Sequence, residues 1–141
     1  MYLLDTNVVS ELRKAGAAKA DAQVMQWLDG AAASALHVSV ITVEELEIGT
    51  LRMERRDAAQ GALLRRWLQE HVLPTFAGRI LSLDLEVARR SAELQVPDTR
   101  PIRDAYIAAT ALVHGLTVVS RNTRDFAACG AQVINPWEIP V

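Results

Sequence analysis

Strand patterns and helix patterns alternate along almost the whole chain, and that alternation limits the fold more than any other feature. Tyr2-Leu3-Leu4 is short, unbroken and apolar, as a strand buried on both faces should be. Further strand patterns follow at Leu36 to Val40, Arg79 to Leu83, Thr117 to Ser120 and Gln132 to Ile134. Helical spacing fills the intervals. Asp5, Thr6 or Asn7 can cap a helix from Val8 to Arg13. A second helix runs from Asp21 to Asp29, with Val24, Trp27 and Leu28 on one face and Gly30 ending it. Thr42-Val43-Glu44-Glu45 reads as a capping box opening a helix toward Met53. Asp57 starts a helix with Leu63, Leu64, Trp67, Leu68 and Val72 at helical spacing, stopped by Pro74. Asp84 caps a helix through Leu94, with Leu85, Ala88, Ala92 and Leu94 expected inward. Val96-Pro97-Asp98 breaks that pattern. Arg103 to His114 is an Ala-rich helix with Gly115 just past its end. The stretches 15–18 and 31–33 read as connections. Strands alternating with helices predict an α/β fold, a three-layer α/β/α sandwich with a central parallel sheet. Crossovers in such a sheet are right-handed, so the strand C-termini share one edge, and ligands bind outside that edge.

At 141 residues the chain is long enough for one domain, 1–141, with a sizeable core. Half the residues are hydrophobic but only 5% are aromatic, so the core is built from Ala, Val, Leu and Ile. The net charge of −2 means that bulk charge does not attract nucleic acid. The basic residues are mostly Arg and partly grouped: Arg52, Arg55 and Arg56; Arg65 and Arg66; Arg100 and Arg103; Arg121 and Arg124. Such groups suit phosphates or an acidic partner, and equally a solvated helix face. Cys129 is alone, which excludes a disulfide framework within the chain and a thiolate metal site. No apolar run approaches a membrane span and no secretory leader is evident, so a cytoplasmic protein without membrane contact is expected.

Four acids fall where that sheet edge is expected: Asp5 after the first strand, Glu45 after the second, Asp104 at the opening of the Ala-rich helix, and Asp125 after Thr117 to Ser120. Each has an ordinary reading alone, as an N-cap, a capping-box partner, a helix-dipole contact or a turn cap. Four acids at one edge is a coincidence that independent capping does not predict. Gathered carboxylates repel one another and call for cations, and oxygen-only ligands suit Mg²⁺ or Mn²⁺. One or two such ions would polarise a phosphodiester and make hydroxide available for in-line attack, leaving a 5′-phosphate and a 3′-hydroxyl. His37, His71 and His114 lack neighbours that form a relay. There is no Gly-rich phosphate loop and no Ser-centred nucleophile motif. An aspartyl-phosphate mechanism at Asp5 would want a second acid two residues on, where Asn7 stands. A non-catalytic binding module is the remaining alternative, and the four intact acids argue against it.

Four blocks resemble a known family. Leu4-Asp5-Thr6-Asn7 is similar to the opening of a PIN domain. The stretch from Val40 to Gly49, with Glu45-Leu46 and then Gly49, resembles the second block. Arg103 to Ala111 resembles the third, and Gly115 to Phe126 the fourth. The match runs from end to end and looks most like the VapC-type toxins of toxin–antitoxin pairs, including the FitB-like group. The resemblance implies a PIN-like sandwich and a Mg²⁺- or Mn²⁺-dependent ribonuclease. It implies Asp5, Glu45, Asp104 and Asp125 as catalytic metal ligands, with Thr6, Asn7, Ser120 and Asn122 orienting them or touching phosphate. Ser120 stands where Thr is frequent and keeps the hydroxyl. Glu44 and Glu47 make the second block unusually acidic. The resemblance further implies a homodimer, for which Trp27, Trp67 and Trp137 are candidate anchors. It implies an RNA substrate, and contact with DNA only through a cognate antitoxin. That antitoxin is expected to present an Arg to the four acids and to cover apolar surface from about Glu45 to Leu68, including Leu46, Ile48, Leu51 and Met53.

Overall fold

The computed structural model describes residues 1–15 and 19–139; residues 16–18, most of the expected 15–18 connection, lie outside them. The elements are β1 (Tyr2–Leu4), α1 (Thr6–Ala15), α2 (Ala22–Gly30), β2 (Leu36–Ser39), α3 (Val40–Arg56), α4 (Ala58–Trp67), α5 (Leu73–Thr75), β3 (Ile80–Leu81), α6 (Leu85–Leu94), α7 (Ile102–His114), β4 (Thr117–Val119), α8 (Thr123–Ala128) and β5 (Val133–Ile134). The strands form one sheet in the order β3-β2-β1-β4-β5, and every neighbouring pair is parallel. The chain starts in the middle, steps outward to β2 and β3, then crosses to the other side for β4 and β5. The strand order therefore reverses between β1 and β4, where sheets of this kind open a ligand crevice.

The pleat sorts the core into two layers. Leu3 and Val118 face one side, against Ile107, Ala108 and Ala111 of α7 and Phe126 of α8. Leu4, Val38 and Val119 face the other, against Val8 and Val9 of α1, Val24 and Leu28 of α2, and Leu68 and Val72 beyond α4. Register fixes the alternation: Leu3 lies opposite Val118 and Leu4 opposite Val119. Burial of each such side chain contributes about 1.5–3 kcal/mol. The three-layer parallel sandwich is therefore the one expected.

Several local readings need correction. β2 stops at Ser39, not Val40, because Ser39 is the N-cap of α3 and its hydroxyl accepts the Ile41 N–H at 3.0 Å. Thr42 therefore lies inside the helix, and Thr42 to Glu45 is not a capping box. Gly30 forms the last residue of α2 rather than a left-handed cap, since Ala31 takes the cap position in an extended conformation. Pro74 does not stop the helical run after α4. A π-helical turn over Leu68–Val72 carries the chain into α5, and the Leu73 N–H bonds Leu68 five residues back. That shift in hydrogen-bond register lets a residue without an N–H follow. The run ends at Thr75, and a turn follows that closes at Gly78, whose φ of 82° disfavours any residue with a Cβ. In α6 the buried positions are Val87 and Ser91, with Leu94 half-buried beside them, whereas Leu85 is 75% exposed and Ala88 and Ala92 also face out.

α3 and α4 form a tight helical pair hinged on Asp57, whose N–H closes α3 on Met53 at 2.8 Å and whose carboxylate caps Ala59 and Gln60 of α4, each at 3.1 Å. Arg65 of α4 bonds both Glu47 and Glu54 of α3, at 2.6 and 3.0 Å. The closest approach is at Gly61, where a Cβ would lie 2.4 Å from the Glu54 Cα and 2.7 Å from its nitrogen. Backbone atoms cannot step aside as a flexible side chain can. Gly61→Ala is expected to destabilise the fold by about 1–3 kcal/mol despite the better helix propensity of Ala. A urea midpoint equal to or above that of the unaltered protein would contradict this reading of the contact.

Candidate active site

Asp5 is the first residue after β1, and its N–H bonds the Val119 carbonyl at 2.9 Å, fixing it against the end of β4. Its side chain is buried, 7% exposed. One oxygen accepts the Thr6 N–H at 2.8 Å, the next residue rather than the second or third that an N-cap side chain bonds. The other accepts the Ser120 hydroxyl at 2.7 Å. Burial raises the Asp5 pKa, and the bonds from Ser120 and Thr6 only partly offset it. Ser120 is itself a junction. Its oxygen accepts the Asn122 N–H at 2.9 Å and lies 3.5 Å from the Asn7 amide nitrogen. The Asn7 carbonyl oxygen is buried with no partner among the described residues.

Glu45 lies in the second turn of α3 and accepts the Thr6 hydroxyl at 2.7 Å; the Thr6 hydroxyl is also 3.2 Å from the buried Thr42 hydroxyl. Thr6 therefore ties Asp5, through its backbone, to Glu45, through its side chain. The neighbouring acids of α3 are committed elsewhere: Glu44 pairs with Arg103 at 3.2 Å and Glu47 with Arg65. Asp104, in the first turn of α7, is half-buried. Its pKa is raised by burial and then by the charges of Asp5, Glu45 and Asp125. Asp125 is exposed in the first turn of α8. Only Asp5 follows its strand directly; Glu45 and Asp125 reach the edge from helices. An open groove of about 640 Å³ runs alongside, lined by Ile41, Glu44, Glu45, Leu83, Pro101, Ile102, Asp104 and their neighbours.

Asp104 is thus within electrostatic reach of each of the other three expected acids, and among the described residues none of the four forms an ion pair with Lys or Arg. Among the described residues no three His, Cys, Asp or Glu side chains form a compact ligand cage. The donor set still fits a hard divalent cation. Mg²⁺ retains several waters and takes few carboxylates directly, so a loose acidic ring suits it better than a closed cage. The partnerless Asn7 oxygen adds one more hard donor on the same side. Sequence reasoning missed Thr42, and it missed Glu11, a buried acid held by the Asp21 N–H and Lys14, each at 2.9 Å. Burial pushes the Glu11 pKa up, but these bonds outweigh it and the net shift is down. The Lys14 partner one helical turn on was the available signal.

The PIN domain family profile matches residues 2–131. This chain belongs to the PIN domain family. VapC ribonuclease Y4jK of Sinorhizobium fredii is 40% identical over 98% of the chain and 99% of its own length. Toxin FitB of Neisseria gonorrhoeae is 38% identical over 97% of the chain and 99% of its own length. The crystal structure of FitAcB from Neisseria gonorrhoeae superposes with a TM-score of 0.88 at 37% identity, covering 99% of this chain and 100% of that one. The PIN fold expected from the four sequence blocks is therefore the fold observed.

The electrostatics of this PIN domain set a pH dependence. A raised carboxylate pKa means that the folded state disfavours the charge. Asp104 therefore weakens the fold at neutral pH, and the loss is recovered as pH falls through its raised pKa toward the ordinary value of 3.8. Glu11 has the opposite sign: it stabilises above its ordinary 4.5 and is lost as pH falls through its lowered pKa. In chelator, Asp104→Asn is expected to be more stable than the unaltered protein at pH 7. The difference should close as pH approaches 3.8. Urea titrations across that range check both the sign and the closure.

Proposed function

We propose that this PIN domain is the toxin of a toxin–antitoxin pair and that it hydrolyses RNA phosphodiesters using Mg²⁺ or Mn²⁺ held by Asp5, Glu45, Asp104 and Asp125. One observation carries the reading: Asp104 feels three other carboxylates at the switch-point edge of the sheet, and no protein cation among the described residues neutralises any of them. When bound there, a divalent cation supplies Lewis-acid polarisation of the phosphodiester and a hydroxide nucleophile at neutral pH. The chain supplies orientation. Ser120 and the Thr6 N–H hold the Asp5 carboxylate, and the Thr6 hydroxyl holds Glu45. Asn7 and Asn122 flank Ser120, within reach of a phosphate in the crevice. The names VapC ribonuclease and toxin, borne by relatives that align over nearly their whole length, support the same reading. No helix among the described residues is long and apolar enough to cross a membrane, and a ribonuclease of this kind acts in the cytoplasm, where its RNA is.

A cell that makes such a toxin has to restrain it. A cognate antitoxin fits the groove if it presents a guanidinium to the acids in place of the metal. On α3 and α4 the apolar surface open to it is narrower than expected: Leu51 and Leu63 are exposed, while Leu46, Ile48 and Met53 are half-buried. DNA would be reached through that antitoxin. Purified protein should cleave RNA in Mn²⁺ or Mg²⁺ and stop in chelator, and Asp104→Asn should lower the rate by at least about a hundredfold. Wild-type cleavage by Asp104→Asn would reject the site.

A homodimer completes the proposal, and a surface other than the tryptophans suits it better. Trp27, Trp67 and Trp137 are half-buried against the core layer of α1 and α2. Apart from Leu51 and Leu63, a second exposed apolar surface lies on α6 and the start of α7: Leu85, Ala88, Ala92 and Ile102, with Leu83 beside them. Leu85→Asp should convert a micromolar dimer to monomer in sedimentation, and a dimer that persists would place the interface elsewhere.

A further inference from the structure

Arg121 lies in an unusual electrostatic position. It immediately follows Ser120, whose hydroxyl bonds Asp5, yet it pairs with none of the four acids. Its guanidinium instead stacks over the indole of Trp137, 4.1 Å from the ring centroid. Several other arginines, Arg13, Arg52, Arg55, Arg66, Arg89 and Arg124, also make no hydrogen bond or ion pair among the described residues, but none of these stacks on an aromatic ring, and the rest spend their donors internally. Arg65 and Arg103 pair with acids of α3, Arg90 with Glu93, and Arg79 and Arg100 bond backbone carbonyls. Among the described residues the Arg121 side chain makes no hydrogen bond and no ion pair, so five planar N–H donors stay uncommitted on an exposed side chain.

The platform beneath it is fixed. The Trp137 N–H bonds the Asn135 side chain at 2.9 Å, and the ring packs against the core layer that holds Leu4 and Val119. Its indole N–H is buried without an acceptor among the described residues, so packing and the stacked cation, not a hydrogen bond, set the ring's orientation. Glu11, the acid whose charge Arg121 senses, is already satisfied by Lys14 and the Asp21 N–H. Among the described residues Arg121 makes no ion pair with the carboxylates. Stacking on Trp137 holds it at the rim instead.

We propose that Arg121, seated on Trp137, binds a phosphodiester of the RNA strand adjacent to the one at the carboxylates. The proposal rests on the ribonuclease reading above. A guanidinium held flat by a ring offers its donor edge to phosphate in the bidentate geometry for which arginine is suited. It also keeps a cation close to, but separate from, a site that itself needs cations.

The test is steady-state cleavage of a single-stranded RNA oligonucleotide in Mn²⁺ across a salt series. Arg121→Gln should raise KM about tenfold, with a smaller loss in kcat. The slope of log(kcat/KM) against log salt should become shallower by about 0.7, one phosphate contact on a single strand. Arg121→Lys should keep the slope but recover only part of the KM, because an ammonium lacks the planar fork. Trp137→Leu should raise KM when Arg121 is present and add little on top of Arg121→Gln. An Arg121→Gln protein with unchanged KM and salt slope, beside an active parent, overturns this assignment alone. A parent that neither binds nor cleaves RNA overturns it together with the ribonuclease reading.

Discussion

A carboxylate buried where β1 meets β4 has to be matched by donors, and the crevice is arranged around that match. Asp5 receives the Thr6 N–H and the Ser120 hydroxyl while its own N–H is fixed to Val119. Those contacts join the first strand, the fourth strand and the first helix. Thr6 carries the connection on to Glu45 in α3. Two hydroxyls thus hold two acids and join four elements, and the remaining acids enter on the first turns of α7 and α8. Burial still raises the Asp5 pKa, so the match is incomplete within the protein. The fold tolerates the residual strain because its stability comes from elsewhere: two apolar layers, the Asp57 hinge, the Arg65 fork and the satisfied Glu11.

What could be read from the sequence was what short-range chemistry decides. The cap at Asp84 and the helix starts at Asp21 and Asp57 were legible, because a side-chain oxygen two or three residues before free N–H groups is a local signal. β1 was legible because an unbroken apolar run has few other uses. The phase of α6 was not. Leu85 is larger than Ser91, so hydrophobicity alone turned the helix the wrong way. Packing against α7 selected Val87, Ser91 and Leu94. The capping box at Thr42 failed because Ser39, three residues earlier, captured the helix start. With that correction Glu45 has no capping duty, and its tie to Thr6 becomes its main contact. Pro74 misled because a π-helical turn, which leaves no mark in local propensity, made room for it.

The placing of the acids near one edge was more legible than the helices around them, for a topological reason. In a parallel sheet one edge collects all the strand C-termini, so acids remote in sequence could be assigned to one place without knowing the strand order. The contact between Arg121 and Trp137 had no such rule behind it. Both residues stood out, one in a basic group and one as a rare aromatic, but only the placement of β5 beside β4 brings the C-terminal segment over the ring of contacts around Ser120.

The edges of the sheet have a consequence of their own. β3 and β5 are each two residues long. An edge that short exposes too few unpaired backbone groups to template an added strand. The sheet is thus closed to the commonest route by which proteins of mixed architecture recruit extended peptides and by which they aggregate. Every association this molecule makes has to be read through side chains, from the outward faces of its helices or from the acidic crevice. Its choice of partners is therefore written in surface residues, which can change without disturbing the sheet they surround.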